Sequence, residues 1–156
     1  MTNQRSRTPF DRGKGPPAQR GGGFKPQGSS LPKGYLENGY FDDAGQILPY
    51  VIVDWPRSIA ANLDRDGLKH AQLRNFFKEA RSIENQLKAG GEFESLRGRI
   101  LKLDAFAANA VKKDNAPWLF KQFIENNLKW ASRSKKDYVD GFINHFECIV
   151  GYYPKK

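Results

Sequence analysis

The sequence predicts an all-α fold, a compact bundle of four to five helices preceded by a disordered basic N-terminal tail. Leu73, Phe76, Phe77, Ala80, Ile83 and Leu87 recur at steps of three and four, which on a 3.6-residue period makes one apolar helix face. The same spacing returns in the segments on either side of that stretch. Gly and Pro punctuate the gaps, so the connections are short and the apolar faces must pack on one another.

Residues 1–34 are Gly, Pro, Arg and Ser with only Phe10, Phe24 and Leu31 as sizeable apolar side chains. Such a segment cannot bury enough surface to offset chain ordering, so it reads as a disordered tail. Within it, Arg20 to Phe24 has the composition of Arg/Gly segments that associate loosely with RNA, and a purely solubilising tail fits equally well. Residues 35–54 mix β-branched residues with turn signals at Asn38-Gly39 and Asp43 to Gly45, and are assigned mostly to irregular structure.

The bundle is placed at residues 55–153. Its first helix enters at Asp54 and Pro56, presents Ile59, Ala60 and Leu63, and ends before Asp66-Gly67. The second begins after Leu68 and runs to Lys88 or Ala89, where Gly90-Gly91 supplies a left-handed stop. Phe93, Leu96, Ile100, Leu103, Phe106, Ala107, Ala110 and Val111 keep phase through a third, either one long helix or two joined at a kink. Asn115 and Pro117 open a fourth with Phe120, Phe123, Ile124, Leu128 and Ala131 on one face. Ser134 to Asp137 reads as a capping-box start for the last, which packs Tyr138, Phe142, Ile143, Phe146, Ile149 and Val150. Most of these Phe and aliphatic residues are assigned to the core.

At 156 residues the chain fits one domain, and its formal charge of +9 makes a polyanion the first partner to consider. The tail holds seven basic residues against Asp11 and so carries +6 of that charge, leaving +3 for residues 35–156. A phosphate-binding surface on the bundle therefore requires local clustering. Arg74, Lys78 and Arg81 provide one, a cationic row beside the apolar stripe of the second helix. Lys112 and Lys113, and Arg133, Lys135 and Lys136, are further candidates, although the helix dipole alone favours cations at the C-termini where Lys112, Lys113 and Arg133 fall. No base-reading motif accompanies them, so the expected binding is to the sugar–phosphate backbone, salt-sensitive and independent of sequence.

Catalytic signatures are thin. His70 and His145 could in principle form the acid–base pair of a metal-independent ribonuclease, but nothing local orients either, and both read as ordinary surface or interface histidines. No nucleotide loop, His-Glu-x-x-His or acidic metal cluster is present, so no catalytic residue, metal or cofactor is assigned. Cys148 is the only cysteine, which excludes an intrachain disulfide and reads as a packed thiol. With no signal-peptide core and no membrane span, the expected location is the cytoplasm.

Tyr40-Phe41-Asp42 with Gly45, Arg57 to Leu63, and Gln72-Leu73-Arg74-x-Phe76-Phe77 with Ile83-Glu84 together resemble the small helical subunit of the type III-A CRISPR interference complex, the Csm effector. The resemblance continues through Phe93 to Ala110 and Phe142 to Tyr152, covering about residues 40–153, with the Gln-Leu-Arg-x-Phe segment the most specific part. It implies a non-catalytic subunit, present in several copies alongside the backbone and large subunits, whose positive face holds target RNA as it pairs with guide RNA. Arg74 lies in the matching motif, and Lys78 and Arg81 follow on its row; Lys112, Lys113, Arg133, Lys135 and Lys136 rest on charge alone. Two departures are visible: Lys69-His70-Ala71 precedes the motif where the family often has small hydroxyl residues, and the tail lies outside the family core. Exposed aromatics such as Trp118, Trp130, Tyr152 or Tyr153 would meet neighbouring subunits. The competing reading is an independent RNA chaperone whose tail supplies the affinity.

Overall fold

The computed structural model describes residues 28–155. Most of the expected tail therefore lies outside the described residues. Of its described part, Ser29 is tied to the bundle, its backbone N–H and hydroxyl both donating to the Asp66 carboxylate at 2.8 and 3.1 Å.

The chain is helical, in the order α1 (Pro49–Ile52), α2 (Asp54–Arg65), α3 (His70–Lys88), α4 (Phe93–Lys112) and α5 (Trp118–Ala131), followed by a π-helical turn (Asp137–Ile143) running into α6 (Asn144–Tyr152). Among the described residues the only β pairing is a single antiparallel bridge between Phe41 and Ile47. Helices α3, α4 and α5 pack as successive neighbours, α6 lies against α2 and α3, and the π turn wedges between α3 and α5.

Local chemistry sets the helix ends. After α3, Gly90 adopts φ +101°. Its N–H bonds Leu87 O at 3.2 Å and that of Gly91 bonds Gln86 O at 2.8 Å, the paired bonds of a Schellman stop. Helix α4 is unbroken and ends the same way, with Asp114 at φ +61° and the Asn115 N–H on Ala110 O at 2.8 Å. Asn115 thus closes α4 instead of opening α5, whose N-cap is the extended Pro117. The expected capping box is half formed: Ser134 Oγ accepts the Asp137 N–H, and the Asp137 carboxylate accepts from the Ser134 hydroxyl instead of its backbone N–H, both at 3.0 Å.

Residues 35–54, set apart in the sequence as an irregular lead-in, contain helix α1 and contribute Leu36, Tyr40 and Val51 to the same core as the helices. The Asp42 carboxylate accepts the N–H groups of Ala44 and Gln46, each at 2.9 Å, folding Tyr40 to Leu48 into a tight loop that Gly45 closes at φ +81°. Tyr40 fits because position 141 is Gly; any Cβ there would collide with its ring.

A buried hydrogen-bond chain fastens this segment down. Val51 O can only accept, so His145 Nδ1 carries the proton and donates to it at 2.5 Å. Nε2 is left as an acceptor and takes the Tyr35 hydroxyl proton at 2.6 Å. Asn127 Nδ2 donates to the Tyr35 oxygen at 2.8 Å, and Asn127 Oδ1 accepts from Tyr40 at 2.7 Å. Burial depresses the His145 pKa to about 4, against the rise its bond to Val51 would cause, and pushes both tyrosines upward.

Candidate nucleic-acid interface

The apolar stripe of α3 is buried at Leu73, Ala80, Ile83 and Leu87, which turns Arg74 and Lys78 out to solvent. These two stand one helical turn apart, and neither has an ion-pair partner among the described residues.

Arg81, third in the row, is different. Its Nε lies 3.2 Å from the carboxylate of Glu84, a residue only 4 % exposed, and its guanidinium reaches Glu147 of α6 at 3.8 Å while stacking over Phe77. Lys88 completes the arrangement at 3.0 Å from Glu84. A buried carboxylate demands such counter-ions, so Arg81 holds the fold as well as contributing charge.

The other sequence candidates separate to two ends of the bundle. Lys112 and Lys113, both exposed, sit at the C-terminus of α4, which the tight α3–α4 turn brings back beside the N-terminal half of α3. Lys113 lines a cleft there with Gln72 and Asn75. Arg133, Lys135 and Lys136 lie at the opposite end, between α5 and the π turn. Arg133 covers the Trp130 ring, with its guanidinium 4.6 Å from the ring centroid. Lys136 donates to Gly45 O at 3.3 Å and sits over Phe41, which makes it a tether for the lead-in loop. The structure thus keeps Arg74 and Lys78 on one face of α3 with Arg81, sets Lys113 apart in the α3–α4 cleft, and does not bring all eight cations together.

Several expectations are corrected by burial. His145 is wholly buried with both ring nitrogens engaged, so it is neither a surface histidine nor able to reach a substrate as half of a ribonuclease pair. His70 stacks on Tyr153, with the rings 5.8 Å apart. Tyr153 is itself buried, its hydroxyl bonded to Leu68 O, and cannot meet a neighbouring subunit as expected. Trp118 and Tyr152 do remain exposed. Phe106, assigned to the core, is 47 % exposed, because the buried stripe of α4 runs Leu96, Ile100, Leu103, Ala107 and leaves position 106 on its flank.

Gln72, read from the sequence only as part of the family motif, and Asn115, read only as a helix start, share the cleft of Phe106 with Asn75 and Asn109, to which the sequence assigns no role. The pairs Asn75-Phe76 and Phe106 with Asn109 one turn on carried the signal. Among the described residues no cluster of three or more His, Cys, Asp or Glu side chains could hold a metal ion, and no helix is long and apolar enough to cross a membrane.

In comparison with known proteins, the family model Csm2 Type III-A aligns with residues 50–155, more than half of the chain. No curated protein and no solved structure matches.

Proposed function

The chain belongs to the Csm2 type III-A family, the small subunit of type III-A CRISPR effector complexes, and from that premise we propose that it holds RNA by its backbone without reading sequence. In this reading it is a non-catalytic cytoplasmic subunit that grips target RNA, or the guide–target duplex, beside the backbone and large subunits and further copies of itself. Its contribution to antiviral defence is to keep the target in register while other subunits do the chemistry.

One observation carries the RNA-holding part: Arg74 and Lys78 are exposed on adjacent turns of α3 with no carboxylate partner among the described residues, whereas Arg81 and Lys88 on the same helix are occupied by Glu84. Cations kept off internal partners are free to neutralise phosphates, which releases the counter-ions condensed on the RNA into solution. Lys113, in the neighbouring α3–α4 cleft, and Lys112, Arg133, Lys135 and Lys136 are secondary contacts in this proposal.

The test is reconstitution of the effector with guide RNA and either the unaltered chain or Arg74→Gln/Lys78→Gln. The altered subunit should assemble normally yet weaken target-RNA retention. Full retention by the altered complex would remove this face from the RNA path. A second reading, an RNA chaperone acting through its tail, is favoured by the +6 charge of residues 1–34. It predicts that replacing Arg5, Arg7, Arg12 and Arg20 by Gln abolishes RNA binding by the free chain while the α3 changes do little.

A further inference from the structure

The geometry points to a nucleobase-binding cleft between α3 and α4, in which the exposed Phe106 ring stacks on an unpaired base of the bound strand. This rests on the RNA-holding reading above and adds to it a contact that the phosphate row cannot make. The cleft is a groove open to solvent, of about 410 Å³, lined by Phe106, Gln72, Asn75, Asn109, Asn115 and Lys113, with Phe76 at its side. Phe76 is fixed there by edge-on packing against Phe120, with ring centroids 4.8 Å apart and planes at 87°.

Three features select a base as occupant. Phe106 is the most exposed large apolar side chain among the described residues, at 47 %, and an aromatic face serves any base. The four carboxamides around it make no side-chain hydrogen bond among the described residues. Each offers both a donor and an acceptor, and a half-turn of the amide exchanges them, so the cleft can satisfy the edge of any base without selecting one. The flanks are cationic: Lys113 stands at the cleft, and Lys78 lies one turn from Asn75 on the solvent side of α3. The single acid in the lining, Glu79, is held by Arg99 at 2.8 Å. An apolar protein partner would leave these carboxamides unpaired, at a cost to binding.

The experiment measures binding of labelled single-stranded oligoadenylate to the full-length protein across a salt series, beside an abasic ribose-phosphate strand of equal length. Phe106→Ala should weaken oligoadenylate binding about tenfold without changing the salt slope, Phe106→Trp should restore it, and the abasic strand should bind all three proteins alike. Because the ring is half exposed, each variant should keep the helical circular dichroism of the parent. Equal oligoadenylate affinity for Phe106→Ala overturns the cleft while the phosphate reading stands, as does an equal loss on the abasic strand. Loss of self-association or subunit assembly with RNA affinity intact would make the cleft a protein interface and also overturn it. If the unaltered protein binds neither strand even at low salt, the RNA-holding reading falls first and the cleft with it.

Discussion

The polar seam beneath the lead-in and the polar face of α3 are built from similar chemistry and end in opposite states. In the seam, Tyr35, Tyr40, Asn127 and His145 saturate one another, and the direction of every proton is fixed by the acceptor-only Val51 carbonyl. On α3, Arg74, Lys78, Gln72 and Asn75 have no such partners among the described residues. Buried polar groups have to be satisfied within the fold, whereas those at the surface are met by water and, in the function proposed above, exchange it for RNA. Arg81 lies between the two cases, on the exposed helix yet committed to Glu84.

The largest effect should come from opening the seam. Asn127→Ala removes three side-chain hydrogen bonds at once, those to Tyr40, Tyr35 and Phe123 O, leaving Tyr40 only the long bond to the residue-127 carbonyl and Tyr35 only His145. It should cost about 4 kcal/mol in urea unfolding, with RNA affinity of the remaining folded protein unchanged. A small loss would mean that water can enter and the seam is not closed.

Acid should attack the same region next. The folded pKa of His145, about 4, lies below the ordinary value of 6.5, so above 6.5 both states are neutral and nothing is lost. As pH falls through that window the unfolded chain takes up a proton that the folded chain refuses, and stability declines by about 3 kcal/mol before this contribution levels off near pH 4. His145→Gln should flatten that part of the stability profile, measured relative to the parent, and a parallel profile would place the titration elsewhere.

Much of this architecture was legible, and the exceptions have a common cause. The α3 stripe, its Gly90-Gly91 stop and the Ser134–Asp137 capping box are local, set by residues within a few positions of one another. The seam joins residues as far apart as Tyr35 and His145, 110 positions in sequence, so no window of periodicity could reveal that His145 is buried. The Glu84 partner of Arg81 sits at i+3 and was in principle visible, but Glu147 and the burial that makes the pairing matter are tertiary. Phe106 fits the helical period loosely enough to pass for core. Only the packing of α4 against its neighbours decides which flank stays wet.

Smaller effects sharpen the contrast along α3 itself. Arg81→Gln should destabilise the protein by about 1 kcal/mol, a figure kept modest by the exposure of the guanidinium and by Lys88, which still faces Glu84. Arg74→Gln/Lys78→Gln should change stability by less than about 0.5 kcal/mol, as expected for surface residues without partners. Equal destabilisation by both would erase the distinction drawn between committed and available cations.

The central claim is that Arg74 and Lys78 are held free for phosphate, and the salt dependence of RNA affinity tests it most directly. Single-stranded RNA binding by the full-length chain should show a log–log salt slope that becomes shallower by about 1.4 in Arg74→Gln/Lys78→Gln, about 0.7 for each lost contact, with thermal stability unchanged. An unchanged slope in a stable, fully helical variant would contradict the account and move the RNA-binding surface away from α3.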